Sequence, residues 1–235
     1  MTRALNDKDL AYNRISDTWE GFISSYDTNR RVEVLVDEFL GTKWIHNKRC
    51  LDGGCGLGYF SEALVKYRPL QVTAIDIAER LVAKLSSRQP SIICRTPDLM
   101  DLDNTFHDEQ FDTVISSEVI EHTPDPERAT RQLARRVKPG GVLALSCPSR
   151  RWHWLLRIAQ ATGARKGYQG YENWPRPEEL KRWAEAEGLE IVRAEGIHTV
   201  PWHFLPKKAL RRLDQAVRGT NYGVALNLAI LARRA

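Results

Sequence analysis

The chain has 235 residues, 42% hydrophobic and 28% charged, which supports a sizeable core and excludes a disordered or collagen-like chain. It has no apolar run of about 18 residues, so no membrane-spanning helix is expected, and residues 1–10 lack the apolar stretch of a signal peptide. Four cysteines without CxxC spacing favour a reducing, cytoplasmic setting. The net charge of +5 has its basic surplus in the C-terminal half and does not by itself indicate nucleic-acid binding.

The first part of the chain is predicted to be a helical N-terminal arm over residues 1–40. Helical periodicity extends over residues 5–40, and Gly41 is a suitable stop. The apolar residues that share one helix face are Leu35, Val36, Phe39 and Leu40.

From residue 49 onward, short apolar runs alternate with segments of helical length. The runs predicted to be strands are 49–52, 72–75, 92–94, 111–116, 142–146, 189–195 and 224–231, and the helices are 60–67, 77–87, 126–137 and 177–187. Strands that alternate with helices pair in parallel, and continuous apolar runs indicate burial on both faces. We therefore predict one α/β domain over 1–235 with a Rossmann-like, doubly wound sheet of seven strands, interrupted by an inserted segment at 148–174.

A glycine-rich turn follows the first predicted strand. Gly54, Gly56 and Gly58 separate that strand from a helix, and Asp52 stands two residues before the first glycine. The G-x-G-x-G spacing differs from the G-x-G-x-x-G of dinucleotide sites, and Asp52 would repel a pyrophosphate but suit a cationic ligand. Asp76, 18 residues after Gly58 at the end of the next strand, can accept both hydroxyls of a ribose. A purely structural strand–helix turn is the alternative interpretation.

These residues carry a family resemblance. The glycine turn with Asp76 resembles the class I S-adenosylmethionine-dependent methyltransferases, and residues 111–122 and 137–141 resemble the later motifs of that superfamily. Residues 118–126, with the sequence EVIEHTPDP, are similar to the ubiquinone-biosynthesis O-methyltransferases. The resemblance covers about residues 28–147 and is fainter over 175–235, where His198 and Asn221 belong to the matching positions.

The resemblance implies a mostly parallel seven-stranded sheet with an antiparallel last strand, and S-adenosylmethionine as the cofactor. The positions it implies for cofactor binding are Arg31, Asp52, Gly54, Gly56, Gly58, Asp76, Ile77, Asp98, Leu99 and Ser117. Asp76 would hold the ribose, and Asp98 and Leu99 would flank the adenine. Arg31 or its neighbour Arg30 would contact the cofactor carboxylate.

Glu118, Glu121 and His122 carry two further expectations. In some relatives an E-x-x-E-H group binds a divalent metal such as Mg²⁺, which would orient a catechol; the alternative is a cap on a strand–helix turn. His122 is also a candidate general base, because an imidazole suits proton removal from a phenol, a hydroxyl or an ammonium group. The other histidines considered for that role are His153, His198 and His203. Cys55 is interpreted as a small residue tolerated in the turn.

The inserted segment is basic and aromatic. Residues 148–166 hold five basic residues and no acid, and Trp152, Leu155, Leu156 and Ala159 share one helical face. Because the segment follows the fifth strand, it should lie at the edge where open α/β sheets bind ligands. A substrate lid, a peripheral contact with the inner face of the membrane and plain packing on the core are all considered.

The sequence thus predicts a methyltransferase for a small-molecule acceptor. The E-x-x-E-H resemblance implies that the acceptor atom is the oxygen of a phenol, catechol or other hydroxyl, on a quinone-type, lipid-linked or secondary-metabolite substrate. The alternatives are N-methylation of an amino sugar or other amine, a nicotinamide-dependent oxidoreductase and a non-catalytic cofactor-binding partner protein. Nucleic acid is not favoured as a substrate, because no target-recognition module is recognisable.

Overall fold

The computed structural model describes residues 5–8, 24–162, 170–199, 206–217 and 219–235. The strands in this part of the chain are β1 (Arg49–Gly53), β2 (Gln71–Ile75), β3 (Ile93–Arg95), β4 (Phe111–Ser117), β5 (Val137–Pro148), β6 (Leu189–Ile197) and β7 (Asn227–Arg234). The α-helices are α1 (Ser25–Val32), α2 (Gly41–Ile45), α3 (Tyr59–Val65), α4 (Glu79–Arg88), α5 (Leu102–Phe106), α6 (Pro126–Arg135), α7 (His153–Ala161), α8 (Pro177–Glu185) and α9 (Lys207–Ala216). A π-helical turn covers Glu33–Leu40, and short 3-10 turns lie at Leu99–Asp101, Ile120–His122 and Arg150–Trp152.

Within the described residues, the seven strands form one sheet in the order β3-β2-β1-β4-β5-β7-β6. β1, β2, β3, β4 and β5 pair in parallel, whereas β7 runs antiparallel to β5 and β6. This is the class I methyltransferase topology, so the predicted fold class is confirmed. The strand order reverses direction between β1 and β4, and ligands of open α/β sheets bind at such a point, outside the carboxyl ends of the strands.

The core lies on both faces of the sheet. Cys50 and Leu51, successive residues of β1, belong to different apolar clusters because side chains along a strand alternate between faces. Helices α6 and α8 cover one face, while the π-helical turn, α3 and α4 cover the other. The prediction of burial on both faces is wrong for β3, whose Ile93 and Arg95 are exposed because this short strand is an edge of the sheet.

The N-terminal arm is helical only in part. Among its described residues, 5–8 are not helical, with a turn at 7–8. Helix α1 begins at Ser25, with the hydroxyl of Ser24 accepting a hydrogen bond from the backbone N–H of Asp27. Gly41, at φ +53°, ends the π-helical turn as predicted, but the chain then continues into α2. Residues 1–4 and 9–23 lie outside the described residues, so the helix predicted there stays a prediction.

Two strands begin at least three residues away from their predicted start. β5 begins at Val137 rather than 142, because Val137 pairs with Phe111 on the far side of a register shift in β4. β7 begins at Asn227 rather than 224. The segment before β7 is a turn held by Asn221. Its Oδ1 accepts a hydrogen bond from the N–H of Gly196 at 3.0 Å, and its Nδ2 donates to the Gly196 carbonyl at 3.1 Å.

The inserted segment 148–174 is described up to residue 162 and again from 170. In α7 the predicted inner face is the more buried one, with Leu156 7% exposed, whereas Trp154 and Ile158 are exposed by 55% and 49%. Residues 163–169 lie outside the described part. Across the residues described, no helix combines the length and apolar character needed to cross a bilayer.

Candidate active site

A cleft opens at the carboxyl ends of β1, β2 and β4, where the strand order reverses. Residues predicted from the sequence that line it are Arg31, Gly54, Gly56, Asp76, Ile77, Asp98, Leu99, Ser117, Glu118 and His122. Residues that the sequence analysis missed include Thr28, Tyr59, Phe60, Leu81, Pro97 and Val119. Tyr59 and Phe60 could have been found from their place directly after the last glycine, at the start of α3.

The glycine turn forms one wall of the cleft. Its glycines are required by left-handed backbone angles and, at Gly54 and Gly58, also by close packing. Gly54 has φ +82°, and a Cβ there would lie 2.3 Å from Cγ1 of Val119, so the turn and the loop after β4 pack too closely for a side chain. Gly56 also has a positive φ, of +50°, but a Cβ there would meet no protein atom within 4 Å. Gly58, predicted to bind the cofactor, does not line the cleft; it lets α3 approach Leu85 of α4.

Asp76 is fixed by the turn that it faces. Its Oδ2 accepts the N–H of Gly56 and its Oδ1 accepts the N–H of Ala78, both at 2.8 Å. Burial raises the pKa of Asp76, and the hydrogen bonds from Ala78 and Gly56 offset part of that shift. Each carboxylate oxygen can accept a second hydrogen bond, so Asp76 presents a pre-oriented acceptor pair to vicinal hydroxyls.

Asp52 occupies a different place from the one predicted. It is 2% exposed, does not line the cleft and accepts a hydrogen bond from the hydroxyl of Ser61 at 2.5 Å. Burial raises its pKa to about 7, although the Ser61 hydrogen bond opposes the shift. Asp52 therefore links β1 to α3 behind the glycine turn. In this position it does not face the cleft.

The far end of the cleft is formed by the chain after β3. Asp98 accepts the backbone N–H of Met100 at 2.9 Å and so caps the 3-10 turn Leu99–Asp101. This cap holds Leu99, 8% exposed, as an apolar surface of the cleft beside Pro97 and Ile77. The combination of an apolar surface and a carboxylate suits a flat heteroaromatic ring.

Of the two arginines considered in the arm, only Arg31 lines the cleft. Its Nη1 donates to the hydroxyl of Ser117 at 3.1 Å, and its Nη2 and Nε donate to Oδ2 of Asp27 at 2.9 and 3.2 Å. Arg30 turns away and pairs with Glu33 and Glu38 at 3.1 and 3.4 Å. The guanidinium of Arg31 therefore stands beside the last residue of β4 and can bind a carboxylate.

Glu118, Glu121 and His122 do not form the predicted metal site. Glu118, at φ +57°, lines the cleft but accepts hydrogen bonds from Ser146 at 3.3 Å and Asn227 at 2.7 Å. Glu121 is 1% exposed and lies outside the cleft lining. Burial raises the pKa of Glu118 to about 7 and that of Glu121 well above its usual value. No group of three or more His, Cys, Asp and Glu side chains in the described parts of the chain could hold a metal ion.

His122 lines the cleft beside Thr123. Its Nδ1 lies 3.0 Å from the carbonyl oxygen of Tyr171, and because a carbonyl only accepts, Nδ1 carries the proton in this contact. In the neutral ring Nε2 is then the acceptor, 3.6 Å from Oε1 of Glu121. Of the other histidines considered, His153 contacts the Trp174 ring, His198 is buried and His203 lies outside the described residues.

Comparison with known proteins decides the family. Residues 26–194 match a methyltransferase domain family. The chain belongs to the S-adenosylmethionine-dependent methyltransferases. It is 35% identical over 168 residues to a ubiquinone biosynthesis O-methyltransferase of Coxiella burnetii, covering 67% of this chain and 70% of that protein. A protein of the same name from Hydrogenovibrio crunogenus is 31% identical over 199 residues, covering 81% and 82%.

Solved structures of other methyltransferases have the same fold as this chain. Magnesium protoporphyrin IX methyltransferase from Synechocystis, with bound S-adenosylmethionine, superposes with a TM-score of 0.65 at 18% identity and full coverage of both chains. An N-methyltransferase from Bradyrhizobium japonicum in complex with S-adenosylhomocysteine superposes with a TM-score of 0.64 at 16% identity, covering 97% and 99%. The family assignment favours methyl transfer over the nicotinamide alternative.

Proposed function

We propose that this methyltransferase transfers the methyl group of S-adenosylmethionine to a hydroxyl oxygen of an aromatic, quinone-type acceptor. The observation that carries the proposal is the imidazole of His122 at the cleft, whose Nδ1–H is directed to the carbonyl of Tyr171 and whose Nε2 lies 3.6 Å from Oε1 of Glu121. The two relatives described above, at 35% and 31% identity, are named ubiquinone biosynthesis O-methyltransferases, which supports oxygen as the nucleophile.

The cofactor contacts we propose follow the lining of the cleft. Gly54 and Gly56 give the main chain close approach to the methionine part, Asp76 accepts the two ribose hydroxyls, and Arg31 binds the carboxylate. The adenine would lie between Ile77 and Leu99, with Asp98 as its polar neighbour. Ser117 would contribute its position at the end of β4, beside Arg31.

The chemical step needs a nucleophile in line with the sulfonium and little else. A lone pair of the acceptor oxygen forms the new C–O bond as the C–S bond breaks, and S-adenosylhomocysteine leaves as the neutral thioether. A phenol arrives protonated at neutral pH, so its proton has to pass to a base. We assign that role to Nε2 of His122.

The acceptor is proposed to be apolar or lipid-linked. In α7, Trp154 and Ile158 expose apolar surface, and the described residues 148–162 carry Arg150, Arg151 and Arg157 but no acid. A basic helix with exposed aromatic and aliphatic side chains suits an interface between water and lipid. This segment is therefore proposed both as a wall of the acceptor site and as a peripheral membrane contact.

Binding and turnover of the full chain test the proposed function. Calorimetric titration should give micromolar affinity for S-adenosylhomocysteine and no heat with NAD. Labelled methyl transfer should occur to a catechol that bears a polyprenyl chain, presented in anionic vesicles, and more weakly to the same catechol without the chain. No binding of S-adenosylhomocysteine would overturn the cofactor assignment, whereas transfer to amines alone would overturn the choice of oxygen.

The variant His122→Gln is expected to lower kcat about 10²-fold, because it removes the base and leaves the acceptor oxygen protonated. The Kd of S-adenosylhomocysteine should stay within about twofold, since the role assigned to His122 is toward the acceptor. Steady-state kinetics and calorimetry on the same preparation separate these effects. His46→Gln, at an exposed position, is the matched control, and full activity of His122→Gln would reduce His122 to a structural cap.

A further inference from the structure

A buried chain of charges connects the cofactor cleft to the C-terminal part of the protein. His198 stands one residue beyond β6 at φ +58°, and its side chain has no exposed surface. Its Nε2 lies 3.0 Å from Oδ1 of Asp27, and its Nδ1 lies 3.6 Å from Oδ2 of Asp214. The other oxygen of Asp27 binds Arg31. One carboxylate thus joins His198 to the arginine that lines the cleft.

The residues around His198 come from different elements. The acids that face it are Asp27 of α1 and Asp214 of α9, and the ring of Tyr26 lies 5.6 Å away, centroid to centroid. From its own strand end, the N–H of Thr199 donates to Oδ1 of Asp214 at 2.7 Å. The described residues 219–226 of the loop before β7 contribute uncharged groups, among them the N–H of Leu226, which donates to the His198 carbonyl at 2.8 Å.

The charges of this cluster balance when His198 is an imidazolium. Burial alone would lower the pKa of His198, but Asp214 and Asp27 outweigh it, and the pKa is raised above its usual value. The pKa of Asp27 is in turn held low, against burial, by Arg31 and His198. Two carboxylates, those of Asp27 and Asp214, then face two cations, Arg31 and His198.

We propose that His198 is a positioning residue of the cofactor site, which holds the Asp27 carboxylate on Arg31 and so fixes the guanidinium that binds the cofactor carboxylate. The inference rests on the proposed role of Arg31. It follows from geometry, because Asp27 offers one oxygen to each cation and cannot shift toward either without losing the other. A guanidinium that is already held in its binding orientation before the cofactor arrives loses less conformational freedom on binding, which strengthens the affinity.

A double-mutant cycle on the full chain tests this inference. His198→Gln keeps a polar side chain but removes the charge, and it is expected to weaken S-adenosylhomocysteine binding about tenfold, raising the KM of S-adenosylmethionine with kcat within about twofold. Arg31→Ala should weaken binding more. If His198 acts through Arg31, adding His198→Gln to Arg31→Ala should have no further effect, whereas a general structural role predicts additive losses. His46→Gln is the control and should bind as the wild type does.

The pH dependence supplies a second readout that a merely structural role would not move. The affinity of the wild type should fall as pH rises through the raised pKa of His198, because the neutral ring holds Asp27 less firmly. Asp214→Asn removes one of the two carboxylates that raise this pKa, so the same fall should occur at lower pH. This variant keeps the imidazole and carries the test even if His198→Gln does not fold.

The outcomes distinguish a failure of the proposed Arg31 role from a failure of the proposed His198 role. If Arg31→Ala binds S-adenosylhomocysteine as the wild type does, the proposed role of Arg31 in cofactor binding is wrong. If Arg31→Ala weakens binding but the His198 effect is additive to it, and Asp214→Asn leaves the pH profile unchanged, only the positioning role of His198 is overturned.

Discussion

Replacing Asp76 with alanine is expected to weaken the binding of S-adenosylhomocysteine by roughly 1.5–3 kcal/mol, which is about 10- to 150-fold in Kd. The reason is that the variant would remove the charge-assisted pair of hydrogen bonds that we propose Asp76 makes to the ribose hydroxyls. A second contribution comes from the protein itself, because the N–H groups of Gly56 and Ala78 lose the carboxylate that orients them. Calorimetric titration measures the change directly.

Two variants make the Asp76 result interpretable. Asp76→Asn keeps an oxygen of the same shape without the charge, and it should fall between the wild type and Asp76→Ala. Asp108→Ala removes an exposed acid that does not line the cleft and should leave the Kd unchanged. If Asp76→Ala bound S-adenosylhomocysteine with unchanged affinity, Asp76 would have no role toward the ribose.

The fold and the wall of the cleft formed by the glycine turn and Asp76 were predictable because their signals are local. The glycine turn directly follows a buried strand, and Asp76 directly follows the next strand, so a short stretch of sequence shows both the turn and its partner. Parallel pairing of β1 with β2 then brings the two strand ends together, with Gly53 opposite Ile75. Regular alternation of strands and helices was enough to predict this pairing.

The parts that could not be predicted depend on contacts between distant residues. Asp27 and His198 are 171 residues apart in the sequence, and no local sequence pattern predicts their ion pair. Asp52 precedes the glycine turn in the sequence, but its side chain lies behind that turn, where it accepts a hydrogen bond from the hydroxyl of Ser61. The pattern E-x-x-E-H suggested a metal site, but Glu118 is held by Asn227 of β7, whose position depends on the whole sheet.

Gly54→Ala is expected to cost about 2–5 kcal/mol in the free energy of unfolding, measured by urea denaturation. A left-handed φ of +82° strains any residue with a Cβ, by about 1–2 kcal/mol. The new methyl group would also collide with Val119, and overpacking of this kind costs about 1–3 kcal/mol. Because both partners line the cleft, cofactor affinity should fall by at least about tenfold in the same variant.

Two comparisons divide the Gly54 effect into strain and collision. Gly140 has φ +76°, a Cβ there would meet nothing within 4 Å, and it does not line the cleft, so Gly140→Ala should cost only about 1–2 kcal/mol and leave cofactor affinity unchanged. Val119→Ala removes the two methyl groups that the new Cβ would strike. Combined with Gly54→Ala, it should restore part of the stability relative to Gly54→Ala alone; the Cβ of residue 119, 2.9 Å from the new methyl group, remains. A double variant no more stable than Gly54→Ala would show that close packing against Val119 is not why this turn requires glycine.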